Sequence, residues 1–321
     1  MSARSVLTGL LLLSGMSLLS ALALGSITVH WQDLWAVMLG EQGLYRNLVV
    51  DLRLPRAMAA FATGGMLALA GALMQILLRN PLADPYILGV SGGAAVGALT
   101  AMLMGASGVW FTGSAFGGAL LSMMLVFTLA RGRGSWTSTR LLLTGVVVAA
   151  GWGAVISFIL SMSPDTHLRG MLFWLMGDLG HARNPGVGWV VLLLGIVFCL
   201  PLAHQLNALS RGELQAGALG VAVQPLRLQI YVLASLLTAV AVTLAGSIGF
   251  VGLIVPHVLR LMMGNDQRIL LPAAVLSGGS LLTVADTLAR TVVAPQQLPV
   301  GVITALLGVP VFLYLLRRGH R

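Results

Sequence analysis

The chain has 321 residues, 58% of them hydrophobic and only 8% charged, against roughly 25% charged in a soluble domain. A water-soluble fold cannot hide this much apolar surface, so the composition points to a membrane protein. All 18 basic residues are Arg, and without a Lys to reach the β- and γ-phosphates a standard phosphate-binding loop is excluded.

The first uncharged run, Ser5 to Val29, is long enough to cross a hydrocarbon core of about 30 Å as a helix. Arg4 and the Ala21-Leu22-Ala23 end also fit a cleaved leader, but the run exceeds the roughly 7 to 15 apolar residues of one and is read as a retained helix. Further apolar stretches run from Pro55 to Leu78, Tyr86 to Ala106, Val109 to Ala130, Leu141 to Met162, Val187 to Ala203 and Leu226 to Phe250. A short one follows from Val251 to Met263, then Ile269 to Val293 and Pro299 to Leu316. The expected fold class is an all-α membrane protein of about ten transmembrane helices, forming one domain over residues 1–321. The longest outer connections are Trp31 to Leu54 and Ser163 to Gly186, with no sign of a second, soluble domain.

Basic residues are retained in cytoplasmic connections. With the N-terminus inside, the inner connections hold twelve Arg and three acids, and the outer ones six Arg and six acids. The net charge of +9 is therefore a topology signal that needs no nucleic acid to explain it. An even helix count places both termini in the cytoplasm. Five plus five helices would give two inverted halves, an arrangement common in transporters, although the sequence shows only faint symmetry. Gly93-x-x-x-Gly97 and Gly113-x-x-x-Gly117 are read as close helix packing. Cys199, the single cysteine, excludes an intrachain disulfide and lies in an apolar run.

Two connections carry more information. From Arg79 to Gly93, Pro81 and Pro85 break one helix before another begins. This turn either lines a path through the membrane or is a simple inner loop. The polar connection from Ala208 to Gly220 carries helix formers between glycines, which suits short surface helices docking a soluble partner; an ordinary solvated loop is the other reading.

Several ordered blocks resemble one family. They are Arg53-Leu54-Pro55-Arg56, Gly71-Ala72-Leu73-Met74-Gln75, Asn80 to Pro85 with Leu88-Gly89-Val90-Ser91, Gly212-Glu213 to Leu219-Gly220, Gly249 to Arg260, and Asp286 to Arg290 with Leu298-Pro299-Val300-Gly301. Nearly the whole chain in order is similar to the permease subunits of binding-protein-dependent ABC importers for iron chelates, haem and vitamin B12. The resemblance implies two permease copies around a central pathway, as a homodimer or paired with a homologous permease. It also implies two cytoplasmic ATP-binding subunits and a periplasmic substrate-binding protein, in a bacterial inner membrane. The segment of about 207–224 matches the family's coupling loop, with Gly212, Glu213, Ala216, Leu219 and Gly220 contacting the ATPase. Asn80, Leu82, Ser138 and Thr139 match the cytoplasmic gate, and Arg53, Arg56 and Arg290 match residues that dock the binding protein. The bland alternative for these Arg is lipid contact or internal pairing, since Asp51 is near Arg53 and Asp286 stands at i, i+4 to Arg290. No cofactor, metal or catalytic residue is expected.

An ion-coupled secondary transporter and an intramembrane enzyme are the competing readings. Coupled carriers place carboxylates within their spans, and only Asp286 lies in one here. His257 without neighbouring ligands cannot make a metal or hydrolytic site. The cargo is open among ferric siderophore, haem and cobalamin, with the siderophore leading because iron chelates are the commoner cargo of the family.

Overall fold

The computed structural model describes residues 3–25, 27–41, 43–131, 137–180, 182 and 184–318. Arg133, Arg183 and Arg321 of the charge balance lie outside these residues, as do the side chains of Arg4 and Arg318. Among the described residues all regular structure is helical. The order is α1 (Ala3–Ala23), α2 (Trp31–Met38), a π-helical turn (Leu48–Arg53), α3 (Leu54–Leu77), a 3-10 turn (Pro85–Leu88), α4 (Val90–Leu103), α5 (Val109–Arg131) and α6 (Ser138–Met162). Then come α7 (Asp165–Leu175), α8 (Gly186–Arg211), α9 (Glu213–Ala218), α10 (Val223–Ala245), α11 (Val251–Met263), α12 (Gln267–Thr291) and α13 (Val300–Arg318).

Seven of these segments are long and apolar enough to cross a membrane, and Val90–Leu103, Val251–Met263 and Val300–Leu315 are shorter apolar helices. Together they match the ten stretches read from the sequence. Helix starts follow local chemistry. Pro55 sits in the first turn of α3, where its missing N–H would have had no helical partner. Thr137 and Asp266 accept from the backbone N–H groups that open α6 and α12, the usual role of such residues at a helix start. α8 differs from expectation by continuing past Ala203 to Arg211 with Pro201 inside it. Its polar last turns carry helix formers that no apolar window detects.

α3 is the centre of the molecule: 94% of its apolar window is buried, against 17% for α6 and 22% for α1. Its small residues make this possible. A Cβ at Gly64 would collide with the carbonyl of Gly278 on α12, and one at Gly71 with that of Gly252 on α11. Helices without a hydrophobic drive between them gain contact by such close approach. Gly93 and Gly97 of α4 are likewise closed by the backbone of α5 at Gly118 and Ser114, as the sequence suggested. Gly113 and Gly117 are a correction: nothing stands within 4 Å of either, because α5 turns Ser114 and Gly118 toward α4 instead.

The helix order repeats. In α1-α3-α4-α5-α6 and in α8-α10-α11-α12-α13 the third helix is the shortest, 14 residues in α4 and 13 in α11. Each follows a residue in the left-handed region, Gly89 at φ 67° and Phe250 at φ 71°. For Phe250 this is an uncommon conformation that the surroundings must hold. The two breaks meet. Ile248 N donates to the Tyr86 hydroxyl at 2.9 Å, Ser91 Oγ donates to Ser247 Oγ at 2.9 Å, and Pro85 lies beside Gly252. The 79–93 segment thus returns from the end of α3 to its middle, level with Gly71, and is more than a simple loop.

Candidate functional site

α3 finishes at Leu77 and the chain reverses through the 78–84 turn. Asn80 Oδ1 accepts from Leu82 N at 2.9 Å and Asn80 O from Ala83 N at 3.0 Å. Ser138 Oγ, at the start of α6, donates to Leu77 O at 3.0 Å. Asn80, Leu82 and Ser138 are therefore brought to one place, while Thr139 beside them is exposed. Gln75, not singled out as a site residue from the sequence, joins three elements here. Its Nε2 donates to Leu253 O of α11 at 3.1 Å and to Ala83 O of the turn at 3.5 Å, and its Oε1 accepts from Arg260 Nη1 at 2.9 Å.

The polar connection after α8 folds as α9. Gly212 takes φ 133° and Gly220 φ 80°, backbone that a residue with a Cβ holds only under strain. Between them Ala216 is buried, whereas Leu214 is 92% and Leu219 69% exposed. Glu213 Oε1 is 3.1 Å from Arg227 Nη1 of α10. Beside α9, Asn207 of α8 donates to Asp266 at 3.0 Å and accepts from Gln267 N at 2.8 Å. Arg268 contacts both oxygens of Asp266. With help from Asn207, it holds that carboxyl well below the usual carboxylate range.

Of the three Arg expected to dock the binding protein, Arg56 and Arg290 share one buried acid, Asp286. Arg56 reaches Asp286 through Nε (3.1 and 3.0 Å) and Nη2 (2.9 Å) and donates to Gln297 Oε1 at 2.9 Å. Arg290 Nε lies 3.1 Å from Asp286 Oδ2, and Arg290 Nη2 3.3 Å from Ala21 O. Arg53 does not use Asp51 as expected. It donates to the carbonyls of Leu22 (2.7 Å), Ala23 (3.0 Å) and Ile27, tying down the last turn of α1 and the chain just after it, where carbonyls have no partner within the helix. Exposure ranks them: Arg53 is 4%, Arg290 8% and the Arg56 side chain 14% exposed. Only Asp286–Arg290 could be seen as a sequence spacing; the Arg56–Asp286 pair spans 230 residues.

The sequence pattern of the FecCD transport family matches residues 10–318. The chain belongs to the FecCD transport family. It is 39% identical to the hemin transport system permease protein HmuU of Yersinia pestis, covering 98% of this chain and 96% of that one. It is 42% identical to the vitamin B12 import system permease protein BtuC of Yersinia enterocolitica, covering 97% and 92%. A solved metal-chelate type ABC transporter in an inward-facing conformation superposes with a TM-score of 0.85 at 32% identity, covering 98% of this chain and 99% of that chain. The chain is thus a multi-pass membrane permease of this family.

Proposed function

We propose that this chain is the membrane subunit of a binding-protein-dependent ABC importer that carries a bulky metal chelate across the inner membrane into the cytoplasm. A ferric siderophore is the leading cargo, with haem and cobalamin next. In this reading residues 1–321 are one domain whose ten apolar helices all cross, in two inverted halves with both termini cytoplasmic. The repeated helix order supports the halves. Two permease copies enclose the pathway; α6, the least covered of the long helices, has the apolar surface for such a neighbour.

The observation that carries the reading is α9, a six-residue helix presenting Leu214 and Leu219 to the outside at the inner end. A chain without a phosphate-binding loop needs a partner to hydrolyse ATP, and Gly212, Glu213, Ala216, Leu219 and Gly220 form the place to receive it. Asn80, Leu82, Ser138 and Thr139 gate the inner end. The binding protein docks outside on Arg56, the most exposed of the three Arg, with Arg53 and Arg290 framing it from behind. Ion-coupled transport is disfavoured because Asp286, the buried carboxylate within a span, is already neutralised by Arg56 and Arg290, and Asp51, at the start of another, is exposed. Uptake of ferric siderophore, hemin and cobalamin by vesicles holding the complete complex tests the cargo. ATP-dependent entry of one chelate is expected, and entry of none of them contradicts the proposal.

A further inference from the structure

α2 has two apolar sides. Leu34 and Val37 are buried in a small core of their own with Leu22 of α1, Val29 of the link between the helices and Val49 of the π-helical turn. The other side is uncovered. Trp31, Trp35 and Met38 stand at i, i+4 and i+7, which places them along one face of a helix. The two indoles stack with ring centroids 5.7 Å apart, yet they remain 65% and 50% exposed. Met38 and Leu39, the residue that follows the helix, are exposed as well. Asp33, the charged residue of α2, falls roughly 160° around the helix from both indoles at 3.6 residues per turn.

The neighbours of α2 identify what covers this face. Leu11, Gly15, Leu18 and Leu22 lie along one stripe of α1, at i, i+4, i+7 and i+11. Leu11 is exposed, Leu18 half-buried and Leu22 covered by α2. α2 therefore closes the end of an apolar stripe that faces lipid in a multi-pass membrane protein. Trp favours the membrane–water boundary, because its ring is apolar and its N–H polar. A partner that comes and goes would leave two Trp, a Met and a Leu in water between visits, a face that invites aggregation. The second permease copy is placed against α6, which packs on α4 and α5, whereas α1 packs on α12 and α3. We propose that α2 is an interfacial helix that binds the boundary between lipid headgroups and acyl chains through Trp31, Trp35, Met38 and Leu39. Val49 of the same small core stands in the turn that ends at Arg53, so lipid contact at α2 sets the depth of Arg53 and of the start of α3.

The test is the fluorescence of the complete chain in bilayers of phosphatidylcholine brominated either close to the headgroup or near the end of the acyl chain. The chain has seven Trp, so the contribution of Trp31 and Trp35 is the difference from a Trp31→Phe/Trp35→Phe variant, whose smaller rings leave the buried side of α2 untouched. That contribution should fall by about half or more with the shallow bromines and by less with the deep ones, as for a helix lying roughly 5–10 Å into the boundary. An unquenched contribution overturns the proposal. If it then changes on adding the binding protein, that protein covers the face; if it changes on dilution of the chain to monomers, a second copy does. Stronger quenching by the deep bromines also overturns it, since α2 would then lie within the hydrocarbon. A spin label at Met38→Cys in a Cys199→Ala background gives an independent reading, because Cys199 is the single cysteine. Oxygen should reach the label more readily than a water-soluble nickel chelate does, and the reverse order overturns the proposal even if the double Trp variant misfolds.

Discussion

Where α1, α3 and α12 meet, Arg53, Arg56 and Arg290 lie against Asp286 and the carbonyls that finish α1, the end proposed to face outside. At the end proposed to face inside, α9 and its C-cap leave Leu214 and Leu219 exposed, with the buried Arg227 beneath paired to Glu213. Both ends carry residues that the family resemblance ties to partners, but the charges do different work. The arginines first hold α1, α3 and α12 together, so the proposed docking partner would meet side chains that are already engaged. At α9, apolar side chains are presented to the surroundings by a short helix seated on the fold through Ala216 and the Glu213–Arg227 pair. Substitutions outside should therefore register as stability, and those inside as partner function.

The largest effect should come from Asp286→Ala, which leaves Arg56 and Arg290 buried without their carboxylate. Removing one member of such a cluster costs about 3–5 kcal/mol, read as lost thermal stability of the solubilised chain without any partner. Arg53→Gln should follow at about 1.5–3 kcal/mol, the worth of charged hydrogen bonds, with the end of α1 becoming open to protease. Arg56→Gln should cost less stability because Arg290 still faces Asp286, and should instead slow docking of the binding protein in a salt-dependent way. If Arg53→Gln were neutral and Arg56→Gln unfolded the chain, the division of labour at the outer end would be wrong.

Much of the architecture was legible because apolar length is a strong signal. Val251 to Met263 was bounded in the sequence as it is in the structure, flanked by Phe250 and Gly264. The short α2, α7 and π-helical turn were not, since their apolar runs, such as Leu34 to Leu39 and Met171 to Met176, are too short to cross a membrane. The partners of the outer Arg were legible only at i, i+4. Asp51 looked like the mate of Arg53 by proximity, but the carbonyls at the end of α1, 26 to 31 residues away, were the stronger acceptors in three dimensions. Gln75, though part of a family block, and Arg227 were not picked as site residues for the same reason, as their contacts join elements far apart in sequence.

Two smaller effects sharpen the inner side of the comparison. Leu214→Asp should leave the stability of the isolated chain within about 0.5 kcal/mol, as expected of an exposed site, while weakening ATPase binding. Asp266 should give a faint acid signature. Its folded carboxyl is held below its unfolded value of about 3.9, mainly by Arg268. The stabilisation is therefore present above about pH 4 and is lost as pH falls below it. Asp266→Asn should flatten the acid limb of a stability–pH curve, slightly because the pair is largely exposed.

The most direct measurement places the purified chain in sealed vesicles with its cognate ATPase and binding protein and follows entry of labelled chelate. Entry should require ATP together with both partners, with no ATP hydrolysis by the chain alone and no response to an imposed proton or sodium gradient. Entry driven by such a gradient without the ATPase, or ATP turnover by the isolated chain, would contradict the account.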